Sequence, residues 1–184
     1  MVNKIASLVA APLRWVYLCI PHVMISTLRH LQYASGHIEL GMFQEAVVEL
    51  DAIRQSDQLR PEVISVRIDL HMHAKQWNRV IKFAQELSRL APADDKGWIS
   101  HAFALRELDL IDEAQAVLLE AEPRLKKECD ILHYNLACYA CLLGNKPEAK
   151  RRLTLAFKMD KFWKHEALED PDLKTMRSMI VAMK

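Results

Sequence analysis

The chain has 184 residues, of which 51% are hydrophobic and 27% are charged, and this balance excludes an intrinsically disordered protein. A net charge of +1 excludes a global attraction to nucleic acid or to anionic membranes, so no nucleic-acid partner is predicted. The four cysteines, Cys19, Cys129, Cys138 and Cys141, have no regular disulfide spacing, which favours a reducing compartment and therefore the cytoplasm.

Residues 1–26 form an apolar N-terminal segment that is predicted to be helical. The run from Ile5 to Leu28 is mostly apolar, but Pro12, Arg14 and Pro21 interrupt it. A membrane-spanning helix needs about 20 uninterrupted apolar residues, and an arginine near its centre costs on the order of 3 kcal/mol. Three interpretations stay open: a leading helix that packs on the residues that follow, a segment that contacts or enters a membrane, and a cleaved signal.

Residues 27–160 contain eight amphipathic stretches, which predict helices that come in pairs. Gly41 suits the left-handed position that ends the first helix, and Pro61 suits the first turn of the third. The predicted helices are Leu28–Leu40, Phe43–Arg54, Pro61–Ala74, Trp77–Leu90, Lys96–Leu108, Ile111–Glu122, Asp130–Leu143 and Pro147–Met159.

A small residue recurs at one position in the second helix of every pair. It is Ala46, Val80, Ala114 and Ala149, at intervals of 34, 34 and 35 residues. Self-similarity at this period is typical of a solenoid of stacked helix pairs. The predicted fold class is therefore all-α, an α-solenoid of about four helix-turn-helix repeats over residues 27–160.

The spacing of large and small residues within the pairs resembles the motif of the tetratricopeptide repeat (TPR) family. The third pair has Trp98, Ala102, Leu105, Ala114 and Leu118 at the motif positions. The fourth pair has His133, Ala137, Ala140, Ala149 and Leu153. The alanines suit places where two helices approach closely. The resemblance implies a TPR-like solenoid.

Residues 161–184 resemble the capping segment that ends some bacterial TPR proteins. The resemblance rests on Asn135-Leu136-Ala137-Cys138-Tyr139 and on Asp170-Pro171-Asp172-Leu173. Asp170 suits a helix N-cap, and Pro171 suits the first helical position. A capping helix is therefore predicted from Pro171 to Ala182, where it would cover the exposed face of the last repeat.

No catalytic or cofactor-binding pattern is recognisable in the sequence. Its 4 glycines form no phosphate-binding loop, and no Gly-x-Ser-x-Gly motif is present. Cys138 and Cys141 share one face of a predicted helix, but zinc needs about four ligands, and buried thiols are the simpler interpretation. The prediction is a protein that is not an enzyme and that has no cofactor and no metal site.

The TPR resemblance also implies a binding site, because in that family the first helices of the pairs line a concave groove that takes peptides or proteins. Phe103 and Tyr134 could anchor a peptide, or could instead pack between repeats. The basic clamp for a carboxylate terminus is absent, since Leu31, Ser35 and Val66 stand at its positions. The predicted groove residues are Ser65, Asp69, Ile99, Phe103, Arg106, Tyr134, Asn135 and Cys138.

The predicted function is a non-catalytic protein-protein interaction module that binds a peptide or partner helix in this groove. One alternative is a membrane-associated assembly or scaffold factor, tethered through residues 1–28. Another is a client-specific secretion-type chaperone, which the small size suggests. The sequence specifies neither the partner nor the oligomeric state.

Overall fold

The computed structural model describes residues 26–125 and 129–183, and in these ranges the chain forms ten α-helices, two 3-10 helices and no strand. The all-α prediction is therefore confirmed. The predictions for residues 1–25 lie outside the described residues. The α-helices are α1 (Thr27–Glu39), α2 (Phe43–Asp51), α3 (Pro61–His73), α4 (Trp77–Leu90), α5 (Asp95–Glu107), α6 (Ile111–Ala121), α7 (Asp130–Leu142), α8 (Lys146–Met159), α9 (Phe162–Glu169) and α10 (Arg177–Ala182). The 3-10 helices are Gln55–Asp57 and Pro171–Met176.

The same turn joins the two helices of each of the four pairs, α1–α2, α3–α4, α5–α6 and α7–α8. In each turn a backbone N–H donates to the carbonyl five residues earlier, as in the Schellman motif that ends helices. The residue before that N–H is always left-handed: Gly41 (φ 72°), Lys75 (φ 53°), Asp109 (φ 63°) and Gly144 (φ 80°). One turn geometry therefore repeats along the chain.

The recurring small residues lie where the two helices of a pair touch. Ala46, Val80, Ala114 and Ala149 have no exposed surface. A larger side chain at these positions would push the helices apart, because protein interiors are close-packed. The period of about 34 residues in the sequence is thus the packing period of the structure.

Successive pairs stack when the first helix of one pair packs on the pair before it. Val63 and Leu70 of α3 join the apolar cluster of α1 and α2, and Ala104 of α5 joins the cluster of α3 and α4. Gly97 of α5 lies so close to α4 that a Cβ there would be 2.6 Å from Ser88 Oγ. The first helix of each later pair therefore has a stacking face, directed toward the preceding pair.

Three short elements, α9, the 3-10 helix Pro171–Met176 and α10, form the C-terminal cap in place of the single helix that the sequence predicts. A 3-10 helix has three residues per turn, so Leu173 and Met176 fall on one side, and both are fully buried. Ile180 of α10 is also fully buried, and all three side chains join the apolar cluster that contains residues of α7 and α8. The predicted helix over residues 171–182 is therefore present as a 3-10 helix followed directly by α10, and α9 is an additional element.

Candidate functional site

The predicted groove residues lie on the first helices of three successive pairs. They are Ser65 and Asp69 in α3, Ile99, Phe103 and Arg106 in α5, and Tyr134, Asn135 and Cys138 in α7. An ion pair of 2.7 Å between Asp69 Oδ2 and Lys96 Nζ joins α3 to α5. These residues fall into a part that the chain itself covers, which we call the occupied part, and a part that stays accessible in the described residues, which we call the open part.

The occupied part is covered by the chain itself, through residues 170–176, which we call the docked segment. The carboxylate of Asp170 accepts a hydrogen bond of 2.7 Å from Tyr134 Oη and a longer contact of 3.6 Å from Cys138 Sγ. Tyr134 and Cys138 are both buried. Further along the segment, Thr175 Oγ1 lies 3.3 Å from Cys141 Sγ. These side chains of α7 thus contact the protein's own C-terminal residues.

Arg106 fixes the other end of this contact. Its Nε donates to Asp172 Oδ2 at 2.8 Å, and its Nη2 donates to the second carboxylate oxygen. Nη1 also donates to Glu107 Oε1 at 2.7 Å. The hydrogen bonds and charge of Asp172, with Glu107, raise the pKa of Arg106 despite partial burial of the guanidinium. A bidentate pair of this kind is geometrically specific as well as strong.

Trp163 of α9 packs against Tyr134 in the occupied part. Its ring stacks on that of Tyr134 with 4.4 Å between centroids, and its Nε1 donates to Asp130 at 2.8 Å. Burial, together with the carboxylate of Asp170, raises the pKa of Tyr134, so the phenol is a hydrogen-bond donor at neutral pH. Of the two roles predicted for Tyr134, the structure contains packing within the protein, against Trp163 and Asp170.

The open part consists of Ser65, Asp69, Ile99 and Phe103, which we call the open face. Ser65, Asp69 and Ile99 are half-buried, and 36% of Phe103 is exposed. The ring of Phe103 meets that of Trp77 edge-to-face, with 5.9 Å between centroids. Asn135 on α7 is half-buried. A partly exposed aromatic pair beside polar side chains is a typical composition for a binding surface.

A pocket of about 360 Å³ adjoins Trp77 at the turn between α3 and α4. It carries positive charge from Lys75 and Arg79, and the first turn of α4 contains no acidic residue. The sequence did not indicate this pocket, because its walls come from two turns that are distant in the chain. Its lining residues are Lys75, Gln76, Trp77, Asn78, Arg79 and Leu108.

A buried ionic network joins α7 and α8 to the end of α6. Arg152, only 4% exposed, donates to both carboxylate oxygens of Glu122 and to Glu148 at 2.5–2.9 Å. Its Nη1 also lies 3.0 Å from His133 Nδ1, and burial together with this guanidinium lowers the pKa of His133. A neutral His133 can therefore accept this bond at Nδ1. The i, i+4 spacing of Glu148 and Arg152 is the only sequence signal for the network.

The cysteines of α7 have the surroundings of structural thiols. Burial, reinforced by the nearby carboxylates of Asp170 and Asp172, raises the pKa of Cys138 well above its usual value. A protonated thiol is a poor nucleophile and a poor metal ligand. In residues 26–125 and 129–183, no group of three or more His, Cys, Asp or Glu side chains is placed to hold a metal ion.

Solved structures share this architecture. The chain is similar to TTC0263, a thermophilic TPR protein of Thermus thermophilus, with a TM-score of 0.61 and 16% identity over 85% of this chain and 99% of that one. YrrB is described as a TPR protein with an unusual peptide-binding site. It matches with a TM-score of 0.62 and 10% identity, over 83% of this chain and 76% of that one. MamA of AMB-1 matches with a TM-score of 0.58 and 15% identity, over 83% of each chain. No family model matches the chain, and no curated protein matches it significantly.

These likenesses establish the fold. The chain is a TPR-like helical repeat protein, an α-solenoid of four helix pairs with a C-terminal cap. The resemblance read from the sequence is therefore confirmed at the level of the fold. Among the helices that the structure describes, none is long and apolar enough to cross a membrane. Residues 1–25, on which the prediction of membrane contact falls, lie outside that description.

Proposed function

We propose that the protein is a non-catalytic interaction module that binds a peptide or a partner helix on the open face. The observation that supports this proposal is the exposure of Phe103 beside Trp77, on the helix α5 whose Arg106 also contacts the docked segment. The occupied part already holds this carboxylate-bearing segment through Arg106 and Tyr134. Binding therefore needs no rearrangement of the scaffold, and a preformed surface loses little entropy on ordering.

The residues of the open face have distinct roles in this proposal. Phe103 supplies the apolar anchor, since aromatic side chains concentrate binding energy at interfaces. The ion pair of Asp69 and Lys96 offers one acceptor and one donor that set the register of the partner. YrrB is described as having a peptide-binding site, so the same fold binds a peptide in another protein. We propose the cytoplasm as the compartment, on the basis of the irregular cysteine spacing.

Cross-linking mass spectrometry in the native host tests the face that is used. An amine-reactive cross-linker should join the partner mainly to Lys75 and Lys96, which flank the open face. Lys150 and Lys158 are matched controls, because both are exposed on α8. Partner cross-links concentrated at Lys150 and Lys158 would contradict the proposal.

A further inference from the structure

The first helix of the solenoid exposes the kind of surface that the later pairs bury. In α3, α5 and α7 the stacking face follows the third, seventh, tenth and fourteenth positions of each repeat. Val63 and Leu70 of α3, and Leu132, Leu136 and Tyr139 of α7, are buried at the first three of these positions, whereas Leu143 at the fourteenth is 39% exposed. The same positions in the first pair are Arg29, Tyr33, Gly36 and Leu40. They form one helical stripe, which we call the leading face.

The leading face carries two large side chains with apolar surface, Tyr33 and Leu40, and both lie open in the described part of the chain. Tyr33 is 46% exposed and Leu40 is 75% exposed. A Cβ on Gly36 would meet no atom within 4 Å, whereas one on Gly97 would meet α4 at 2.6 Å. Arg29, at the N-terminal end of the stripe, is also exposed. Repeat arrays need polar surfaces at their two ends, whereas Tyr33 and Leu40 expose apolar area on this face.

We propose that the leading face of α1 is the docking surface for residues 1–25 of the same chain. These residues directly precede Ser26, the N-cap of α1, so they are tethered beside the surface. They contain no acidic side chain and are mainly apolar from Ile5 onward. Apolar side chains placed against Tyr33 and Leu40 would remove apolar area from water, which is the main driving force for such packing.

The length of the segment suits the position that it would occupy. In later pairs this position belongs to the second helix of the preceding pair, and those helices have 9 to 14 residues. The connectors that follow α2 and α4 are residues 52–60 and 91–94. A helix from Pro12 to Ile20 would have nine residues with a proline at its first position, and residues 21–25 would form the connector. The tether also makes the contact intramolecular, which raises the effective concentration of the segment.

Site-specific photo-cross-linking on the full-length chain tests this contact. p-Benzoylphenylalanine replaces Tyr33 or Leu40 on the leading face. Its matched controls are Gln32 and Glu39, neighbouring exposed positions that are not part of the leading face. We expect cross-links from 33 and 40 to map onto residues 1–25 within one chain, with yields about tenfold above the controls. With the probe at 33, Leu40→Asp should lower the yield about tenfold, because a buried carboxylate is unfavourable.

Two results would overturn the proposal. A covalent dimer as the main product would show that a second copy occupies the leading face. Equal yields at 32 and 33 and at 39 and 40 would show that the segment has no preference for this face, as expected if it binds elsewhere or enters a membrane. Each variant should keep a cooperative thermal transition in circular dichroism, because none of the four positions is buried within the described solenoid.

Discussion

Arg106 in α5 and Asp172 in the docked segment form a bidentate ion pair although they are 66 residues apart in the sequence. The pair ties the inner surface of the third helix pair to the C-terminal cap. Together with the contacts that Tyr134 and Cys138 make to Asp170, it makes three of the eight predicted groove residues part of an internal contact. A partner that uses the inner surface is therefore directed toward the open face.

The ion pair should contribute measurably to stability. Asp172→Asn keeps the shape of the side chain and removes its charge, so we expect the free energy of unfolding to fall by about 1 kcal/mol, a modest value because Arg106 remains partly exposed. Urea denaturation gives this quantity. Glu86→Gln is the matched control, since it breaks a surface pair with Arg89. Equal unfolding midpoints for the two variants would contradict the role given to Asp172.

The docked segment should protect the thiols of α7. Leu173 has no exposed surface, and Leu173→Ala removes its packing at a cost of about 3 kcal/mol. Transient release of the segment should then speed the reaction of Cys138 and Cys141 with a thiol reagent, followed site by site with mass spectrometry. Leu119→Ala, at an exposed position of α6, should leave the rates unchanged. An unchanged rate at Cys138 in Leu173→Ala would mean that another element covers it.

The network around Arg152 predicts acid lability. Hydrogen bonds from Arg151, and then from Arg152, lower the pKa of Glu148 from 4.5 to about 2. Between these two values the unfolded chain binds more protons than the folded one, so the free energy of unfolding falls as the pH falls through this window.

Glu148→Gln should therefore lose less stability than the wild type between pH 4.5 and pH 2, although it is less stable at pH 7. Thermal unfolding followed by circular dichroism across this range measures the difference. Glu39→Gln, an exposed carboxylate on α1, is the control and should follow the wild type. Parallel curves for Glu148→Gln and the wild type would refute the prediction.

Lys75 occupies a left-handed turn position that glycine holds in the first and fourth pairs. A residue with a Cβ costs about 1 kcal/mol there, so Lys75→Gly should raise the free energy of unfolding by up to that amount. Asp109→Gly, at the same position of the third pair, should gain less because aspartate tolerates this conformation better. Chemical denaturation distinguishes the two variants, and a destabilised Lys75→Gly would contradict the strain.

The fold could be predicted from sequence because its determinants are local and repeated. The alanines at 46, 114 and 149 mark close helix contacts at a fixed period, and the four turns use one motif. α9 could not be predicted, because eight residues give too little periodicity to recognise. Sequence periodicity reveals only packing contacts that recur in every repeat. The contact between Trp163 of α9 and Tyr134 occurs once, so periodicity does not reveal it.

The candidate site was predictable only in part for the same reason. The register of the repeat predicts Arg106, Tyr134 and Cys138 as groove residues, and in the structure all three contact the docked segment. Their contact partners lie in the docked segment. No local pattern in the sequence indicates that the carboxylate of Asp172, which follows the fourth pair, will contact Arg106 of α5. Phe103 remains a predicted anchor, because its exposure leaves it free for a partner.

Recovery of a partner by the full-length protein tests the central proposal most directly. Phe103→Ala and Leu119→Ala each remove one exposed apolar side chain, from the open face and from α6 respectively. With the partner named by cross-linking in the host, titration against immobilised protein should show an affinity loss of about tenfold or more for Phe103→Ala and none for Leu119→Ala. Equal affinities for Phe103→Ala and the wild type would contradict the proposal that the open face binds the partner.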